Sequence, residues 1–398
     1  MKTFTELPLP AWLQANLKTH GFTEPTPIQA MAIEPALAGQ DLVATAQTGT
    51  GKTLAFVVPM IQALAKDGSR PGVRAVILSP TRELAMQIHE TFTKMAERSG
   101  IRAALVVGGL SESVQLASIR RGAQVIIATA GRLYDFLGRG LVNLGGVRIL
   151  VLDEADRMLD MGFLPTIKRI IATLPRDRQM LLFSATIESS VRHLVDEHVP
   201  NGIRIAAGSA TRPAERVDLH YYEVEQEGKL PLLESMLETE DGSFLVFART
   251  RHGAERLARK LAQAGVKTAA IHGDRSQNQR NQALRGFQDG YYRVLVATDV
   301  AARGIHVDNI SHVVNYDLPQ VPEDFIHRVG RTGRAGARGT AHTFGTRAER
   351  GEIARIERAL SIRLTRPNGH EAPEAAAPRR WRSFGPRRGS GRRVACVM

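Results

Sequence analysis

The chain has 398 residues, 43% of them hydrophobic, which is enough for a sizeable core and, by length, for two domains. Lysine and arginine number 53 against 40 aspartates and glutamates, a surplus that favours a polyanionic partner such as nucleic acid or an acidic membrane surface. Cys396 is the only cysteine, excluding an intrachain disulfide and a cysteine-built zinc site; Met1 to Pro10 lacks the apolar core of a secretory signal, no apolar run approaches the roughly 20 residues that cross a bilayer, and a cytoplasmic setting is expected.

Taken in chain order, short apolar runs alternate with helix-length amphipathic stretches: Leu42 to Ala44, Ala75 to Ser79, Val125 to Thr129, Ile149 to Asp153 and Met180 to Ser184 read as strands. That rhythm predicts parallel sheet with helices on both faces. It pauses at Ala206 to Arg216 (AAGSATRPAER), a small, polar and charged stretch that reads as a linker and divides the chain at 1–206, 207–216 and 217–366. The pattern resumes with Phe244 to Phe247, Thr268 to Ile271, Val294 to Ala297 and His312 to Asn315, so a second α/β domain is expected. From residue 367 onward seven arginines stand against two glutamates, with Trp381 and Phe384 among Gly, Pro and Ser, the composition of a disordered tail whose arginines can pair with phosphates and whose rings can stack on bases.

Ala46 to Thr53 (AQTGTGKT) follows an apolar strand and precedes a helical pattern, the context a phosphate-binding loop requires. Glycine lets backbone N–H groups converge on phosphate oxygens and the helix adds its positive end. The segment assigns Ala46, Gln47, Thr48, Gly49, Thr50 and Gly51 to the nucleotide, Lys52 to the β- and γ-phosphates and Thr53 to Mg2+. Ile149 to Leu152 then ends in Asp153-Glu154-Ala155-Asp156, placing two carboxylates where a parallel sheet binds ligands. Asp153 suits the magnesium ion, directly or through water, and Glu154 suits polarisation of an attacking water.

DEAD at Asp153 to Asp156, with further motifs in order from about Phe4 to about Arg363, resembles the DEAD-box ATP-dependent RNA helicases, and DEADRMLDMGF with short flanks resembles their bacterial RhlE-like branch. The resemblance implies two tandem RecA-like domains of the P-loop NTPase type. It also implies an RNA-stimulated ATPase using ATP and Mg2+. Gly21 to Gln29 (GFTEPTPIQ) resembles the family's adenine-reading motif, with Phe22 stacking on the base and Gln29 pairing with its edge. His327 to Arg334 (HRVGRTGR) resembles the segment that completes the ATPase from the second lobe, with Arg331 and Arg334 as arginine fingers. Ser184-Ala185-Thr186, with Asp156, His327 and Arg303, is similar to the elements that couple hydrolysis to lobe movement.

The same resemblance implies RNA-backbone contacts at Pro80, Thr81, Arg82, Gly108, Gly109, Thr129, Gly131 and Arg132 in the first lobe. In the second it implies Arg249, Thr250, Gly273, Arg280, Thr298 and Gly304, within segments that include His272 and Gln279. Hydroxyl, guanidinium and glycine N–H groups suit phosphates better than base edges, so low sequence specificity for single-stranded RNA and short duplexes is expected. Two positions depart from the family pattern: Ala130 replaces a proline, loosening the Thr129–Arg132 loop, and His306 replaces an aspartate at the ATP ribose. Intact catalytic residues suit either local, non-processive unwinding or an ATP-gated clamp on RNA.

Overall fold

The computed structural model describes residues 3–46, 50–68, 71–187, 189–207, 217–302, 310–333 and 338–367. In the first lobe the strands are β1 (Leu42–Ala46), β2 (Ala75–Ser79), β3 (Ala103–Val106), β4 (Val125–Thr129), β5 (Ile149–Leu152), β6 (Gln179–Ser184) and β7 (Ile203–Ala207). Its helices are α1 (Ala11–Thr19), α2 (Pro27–Leu37), α3 (Lys52–Lys66), α4 (Arg82–Met95), α5 (Glu112–Arg120), α6 (Ala130–Gly138), α7 (Ala155–Asp160), α8 (Leu164–Ala172) and α9 (Ser189–His198). The strands pair in parallel in the order β3-β4-β2-β5-β6-β1-β7. Because β1, β5 and β6 are neighbours, the segments following their C-terminal ends share one edge of the sheet, where ligand sites of this architecture form.

The second lobe repeats the plan. It contains β8 (Val217–Glu223), β9 (Phe244–Phe247), β10 (Thr268–Ile271), β11 (Val294–Ala297), β12 (His312–Asn315) and β13 (Gly339–Gly345). Helices α10 (Lys229–Thr239), α11 (Arg251–Gln263), α12 (Gln277–Gln288), α13 (Asp299–Ala302), α14 (Pro322–Val329) and α15 (Arg350–Leu360) complete it. The parallel order is β10-β11-β9-β12-β13-β8.

Central strands such as β2, β5, β9 and β11 are buried along their whole length, which is why they read as continuous apolar runs. Each sheet carries a buried cluster on either face: Phe56, Phe92 and Phe183 lie on one side of the first and Phe136, Leu150 and Ile170 on the other. Phe287, Phe325 and Ile353 with Leu233, Phe244 and Phe344 do the same in the second. Ala206 and Ala207, expected to open the linker, are instead the last residues of β7, paired with Thr45 and Ala46 of β1. Ile205 and Ala207 are buried while Ile203, Arg204 and Ala206 are exposed, so this edge strand carries a weaker apolar signal than the central ones. The rest of the expected linker and the tail from residue 368 lie outside the described residues.

Candidate active site and nucleic-acid interface

Thr26 and Gln29 form a capping box at the start of α2, and the same two side chains reach the phosphate loop. The Gln29 amide oxygen accepts the Thr26 N–H at 2.9 Å and its amide N–H donates to the Gly51 carbonyl at 2.9 Å, while the Thr26 hydroxyl donates to the Thr50 carbonyl at 2.7 Å. Gly51 has φ +86°, and a Cβ there would collide with the Gln29 amide nitrogen, so glycine is required on both counts. Gln29 retains one amide N–H and one lone pair beyond these bonds, the complement of an adenine edge. Phe22 is half-buried against the first-lobe core after the chain turns at Gly21 (φ +79°).

Lys52 opens α3, is only 6% exposed, and donates from Nζ to the Ala46 carbonyl at 3.0 Å; Thr53 follows it in the first turn. Across the loop, Asp153 is fully enclosed, and burial pushes its carboxyl up to about 7; Lys52 opposes the shift and Glu154 adds to it. A carboxylate held this way gains from a cation beside it, and a buried ammonium on a carbonyl gains from phosphate oxygens, so the residues present fit a nucleotide with Mg2+. Glu154 adopts φ +52°, a left-handed conformation unusual for a non-glycine residue, and its carboxylate lies 3.5 Å from Arg157 Nε in a pair buried on both sides.

Asp156 ties the acidic segment to the neighbouring strand end. Its Oδ2 accepts the N–H groups of Ala185 and Thr186 at 2.9 Å each and the Thr186 hydroxyl at 3.3 Å. Ser184 accepts the Asp156 N–H at 3.3 Å and donates its hydroxyl to the Thr186 carbonyl at 2.6 Å. Any movement of the Ser184–Thr186 turn is therefore transmitted to the residues beside Asp153 and Glu154.

From the second lobe, His327, Arg328 and Arg331 line a small pocket together with Arg157 of the first lobe, so α14 faces α7. Arg331 is 1% exposed and donates to the His327 carbonyl at 3.1 Å. Arg328 anchors this arm: it forms a two-pronged bond to Asp299 at 2.6 and 2.7 Å, donates to the Asp317 carbonyl at 2.6 Å and lies over Phe247.

Among the described residues, several of the expected RNA positions follow the C-terminal ends of parallel strands: Pro80 to Arg82 after β2, Gly108 and Gly109 after β3, Arg249 and Thr250 after β9, and Gly273 after β10. The Arg82 guanidinium lies against Gly108 and Gly109, and a Cβ on Gly109, already at φ +75°, would overlap it. Burial, then Arg280, lowers the Arg82 pKa, with Arg132 acting in the same sense and Glu83 opposing. Such a concentration of guanidinium charge suits a phosphodiester. Thr81 and Thr250 cap α4 and α11 through their hydroxyls, Thr129 precedes α6, Thr298 follows β11, and Gly273 sits against Arg251. Pro80 leads into Thr81, and Gly131 and Arg132 lie in the first turn of α6. Arg249 donates its N–H to Asp317 at 2.8 Å and its guanidinium to Glu349 at 3.4 Å.

Some expected contacts are already engaged in protein. Gln279 completes the capping box of α12, and Arg280 is 3.0 Å from the buried Glu83 of the first lobe. Gln277 joins them across the cleft, donating to Glu83 at 2.8 Å and accepting from Arg82 at 3.4 Å. His272 lies 3.0 Å from Glu255, which also pairs with Arg275. Gln47, Thr48, Gly49, Arg303, Gly304, His306 and Arg334 lie outside the described residues.

Two family models match the chain: "DEAD/DEAH box helicase" over residues 26–194 and "Helicase conserved C-terminal domain" over 228–336. The ATP-dependent RNA helicase dbp2 of Sclerotinia sclerotiorum is 42% identical over 341 residues, covering 83% of this chain and 59% of that protein. The DEAD-box ATP-dependent RNA helicase CshA of Bacillus cereus is 38% identical over 378 residues, 94% of this chain and 71% of CshA. The chain belongs to the DEAD-box RNA helicase family. It spans about three fifths of the length of several of its curated relatives. Among solved structures, that of S. cerevisiae Dbp5 bound to RNA and ADP BeF3 superposes with a TM-score of 0.84 at 32% identity, covering 92% of this chain and 96% of that one, which establishes the two RecA-like domains.

Family motifs alone did not single out four side chains that the geometry makes prominent: Thr26, Glu83, Arg157 and Arg328. Each lies inside a recognised motif, but its task depends on a partner far away in sequence, at Thr50, Arg280, the second lobe and Asp299 respectively.

Proposed function

We propose that this chain is an RNA-stimulated ATPase that locally separates short RNA duplexes, with ATP and Mg2+ bound between its lobes. The observation that carries this reading is the placement of α14, with His327 and Arg331, against α7, directly behind Asp153 and Glu154. Lys52 and the start of α3 would hold the phosphates, Asp153 would hold the ion, and Glu154 is placed to take the proton of the attacking water. Bound Mg2+ would supply charge neutralisation at the β- and γ-phosphate oxygens. Arg331, joined by Arg334, acts only when the lobes are together, which makes turnover depend on closure.

Threonine, glycine and arginine groups on both lobes grip one strand by its backbone, so specificity for sequence is low, and reopening of the lobes after each hydrolysis, implied by the family resemblance, makes unwinding local and non-processive. Affiliation with the bacterial RhlE-like branch rests on the DEADRMLDMGF segment, and work in ribosome assembly or RNA turnover is the setting such an activity fits. A cytoplasmic location is part of the same reading; no helix among the described residues is long and apolar enough to cross a membrane. Steady-state ATP hydrolysis with and without single-stranded RNA, comparing the intact chain with Glu154→Gln, tests the proposal. RNA stimulation that Glu154→Gln abolishes is expected; no stimulation by any RNA would overturn it in favour of a clamp that needs a protein partner.

A further inference from the structure

At the edge of the second sheet opposite the motif-bearing strand ends, three side chains bring ligand atoms together. His312 opens β12, His342 lies on the adjacent β13 and on the same face, and Glu240 caps the C-terminus of α10. Glu240 Oε2 is 3.0 Å from His312 Nδ1 and 3.4 Å from His342 Nε2, and the two ring nitrogens are 3.3 Å apart. Ligand atoms arranged tetrahedrally about zinc at the usual bond lengths would stand about 3.3 Å from one another.

Hydrogen bonds around the cluster fix which atoms face inward. His312 Nε2 is 2.9 Å from the Asp241 carbonyl, so that nitrogen carries the proton and Nδ1 of the neutral ring presents a lone pair. His342 Nδ1 faces the Tyr222 hydroxyl at 3.4 Å, which can accept its proton and leave Nε2 as the second lone pair. Two imidazole lone pairs and a carboxylate oxygen then point at one another, an arrangement a cation at their centre resolves. Phe244 stacks on the His312 ring with centroids 4.3 Å apart, and His220 stacks on His342, so both rings are held in orientation. The His342 side chain is 2% exposed while that of Glu240 is 31% exposed, giving an ion a way in.

We propose that Glu240, His312 and His342 form a zinc-binding site in the second lobe, separate from the nucleotide site, with water as the fourth ligand. Two imidazoles and a carboxylate suit Zn2+ better than Mg2+ or Ca2+, which prefer all-oxygen shells. The ion would fasten the end of α10 to β12 and β13, the strands that hold up α14.

The test uses the full chain carrying Cys396→Ser, stripped with a chelator and titrated calorimetrically with zinc chloride in the presence of magnesium and ADP. One equivalent is expected to bind, and His312→Gln and Glu240→Gln should each lose it while keeping ATP hydrolysis and the circular dichroism of the parent. Cobalt(II) should give the intense visible bands of a tetrahedral site. No stoichiometric uptake, or uptake unchanged in both variants, would overturn the assignment and leave a proton-sharing histidine pair. If a variant unfolds, nitrogen NMR of the parent decides: zinc must move His312 Nδ1 and His342 Nε2 specifically, and unmoved signals count against the site.

Discussion

Asp156 accepts three hydrogen bonds from the Ala185–Thr186 turn through a single oxygen, and its other oxygen takes the Arg157 N–H at 3.0 Å. Asp156→Asn must present an NH2 group to one of those donors. We expect a stability loss of roughly 1–3 kcal/mol in denaturant melts, together with a larger loss of duplex unwinding than of RNA-free ATP hydrolysis. Arg328 is a harder case, because it is itself buried and its removal leaves the partly buried Asp299 without its two-pronged partner. Arg328→Ala is expected to cost about 3–5 kcal/mol and to abolish RNA stimulation by displacing Arg331. Gly109→Ala meets both a positive φ and the Arg82 guanidinium, so RNA affinity measured by fluorescence anisotropy should fall while ATP affinity stays unchanged. For His306, replacement by aspartate restores a permanent acceptor for the ribose, and a direct titration should show tighter ATP binding.

At the scale of elements, the departure at Ala130 is mild for a physical reason. It occupies the first position of α6, where a backbone N–H needs no helical acceptor, and Thr129 before it is extended at φ −87° and ψ 140°. Ala130→Pro should therefore raise stability by about 0.4–1 kcal/mol in thermal unfolding, with RNA affinity preserved. Glu255, which braces α11 against β10, has its pKa lowered by the His272 hydrogen bond first, against a smaller opposing effect of burial, and then by Arg275. A lowered carboxylate pKa contributes stability above the ordinary value of 4.5 and loses it as pH falls through the folded value. The difference in melting temperature between the intact chain and Glu255→Gln should accordingly shrink in acid.

Apolar runs such as Ala75 to Ser79 and Val294 to Ala297 were legible because strands buried on both faces show no polar interruption. Edge strand β3 alternates half-buried and buried positions and β7 is exposed at three of its five, so both carry weaker signals, and the end of β7 falls within the expected linker. The loop, the acidic pair and Gln29 were singled out from local order, since each signal lies within a few residues, whereas the bond of Thr26 to Thr50 joins residues 24 apart. What could not be read were pairings across the cleft: Arg280 in sequence is a basic residue on a helix, and only the assembled lobes place it against Glu83.

At the scale of the molecule, the two lobes meet through a buried acid. Glu83 is 4% exposed and receives both Gln277 and Arg280 from α12. Arg280→Ala would remove the ion pair across the cleft and leave Gln277 as the second-lobe side chain bonded to that carboxylate, which disfavours the closed arrangement. The RNA concentration giving half-maximal ATP hydrolysis should rise at least about tenfold, equivalent to ~1.4 kcal/mol; an unchanged value would show that closure does not depend on this contact.

Both sheets are wholly parallel, so the loops that follow β1, β5 and β6 leave from one edge of the first sheet, and the segments that lead into the strands begin at the other edge. Asp177 precedes β6 with a side chain 99% exposed, and Tyr291 precedes β11 at 59% exposed. Once Cys396 is replaced, cysteines at these two positions give a dye pair riding on the rigid sheets, away from nucleotide and strand. Energy transfer between them would serve as a ruler for lobe separation, following each opening and closing in a single molecule while the chemistry proceeds undisturbed.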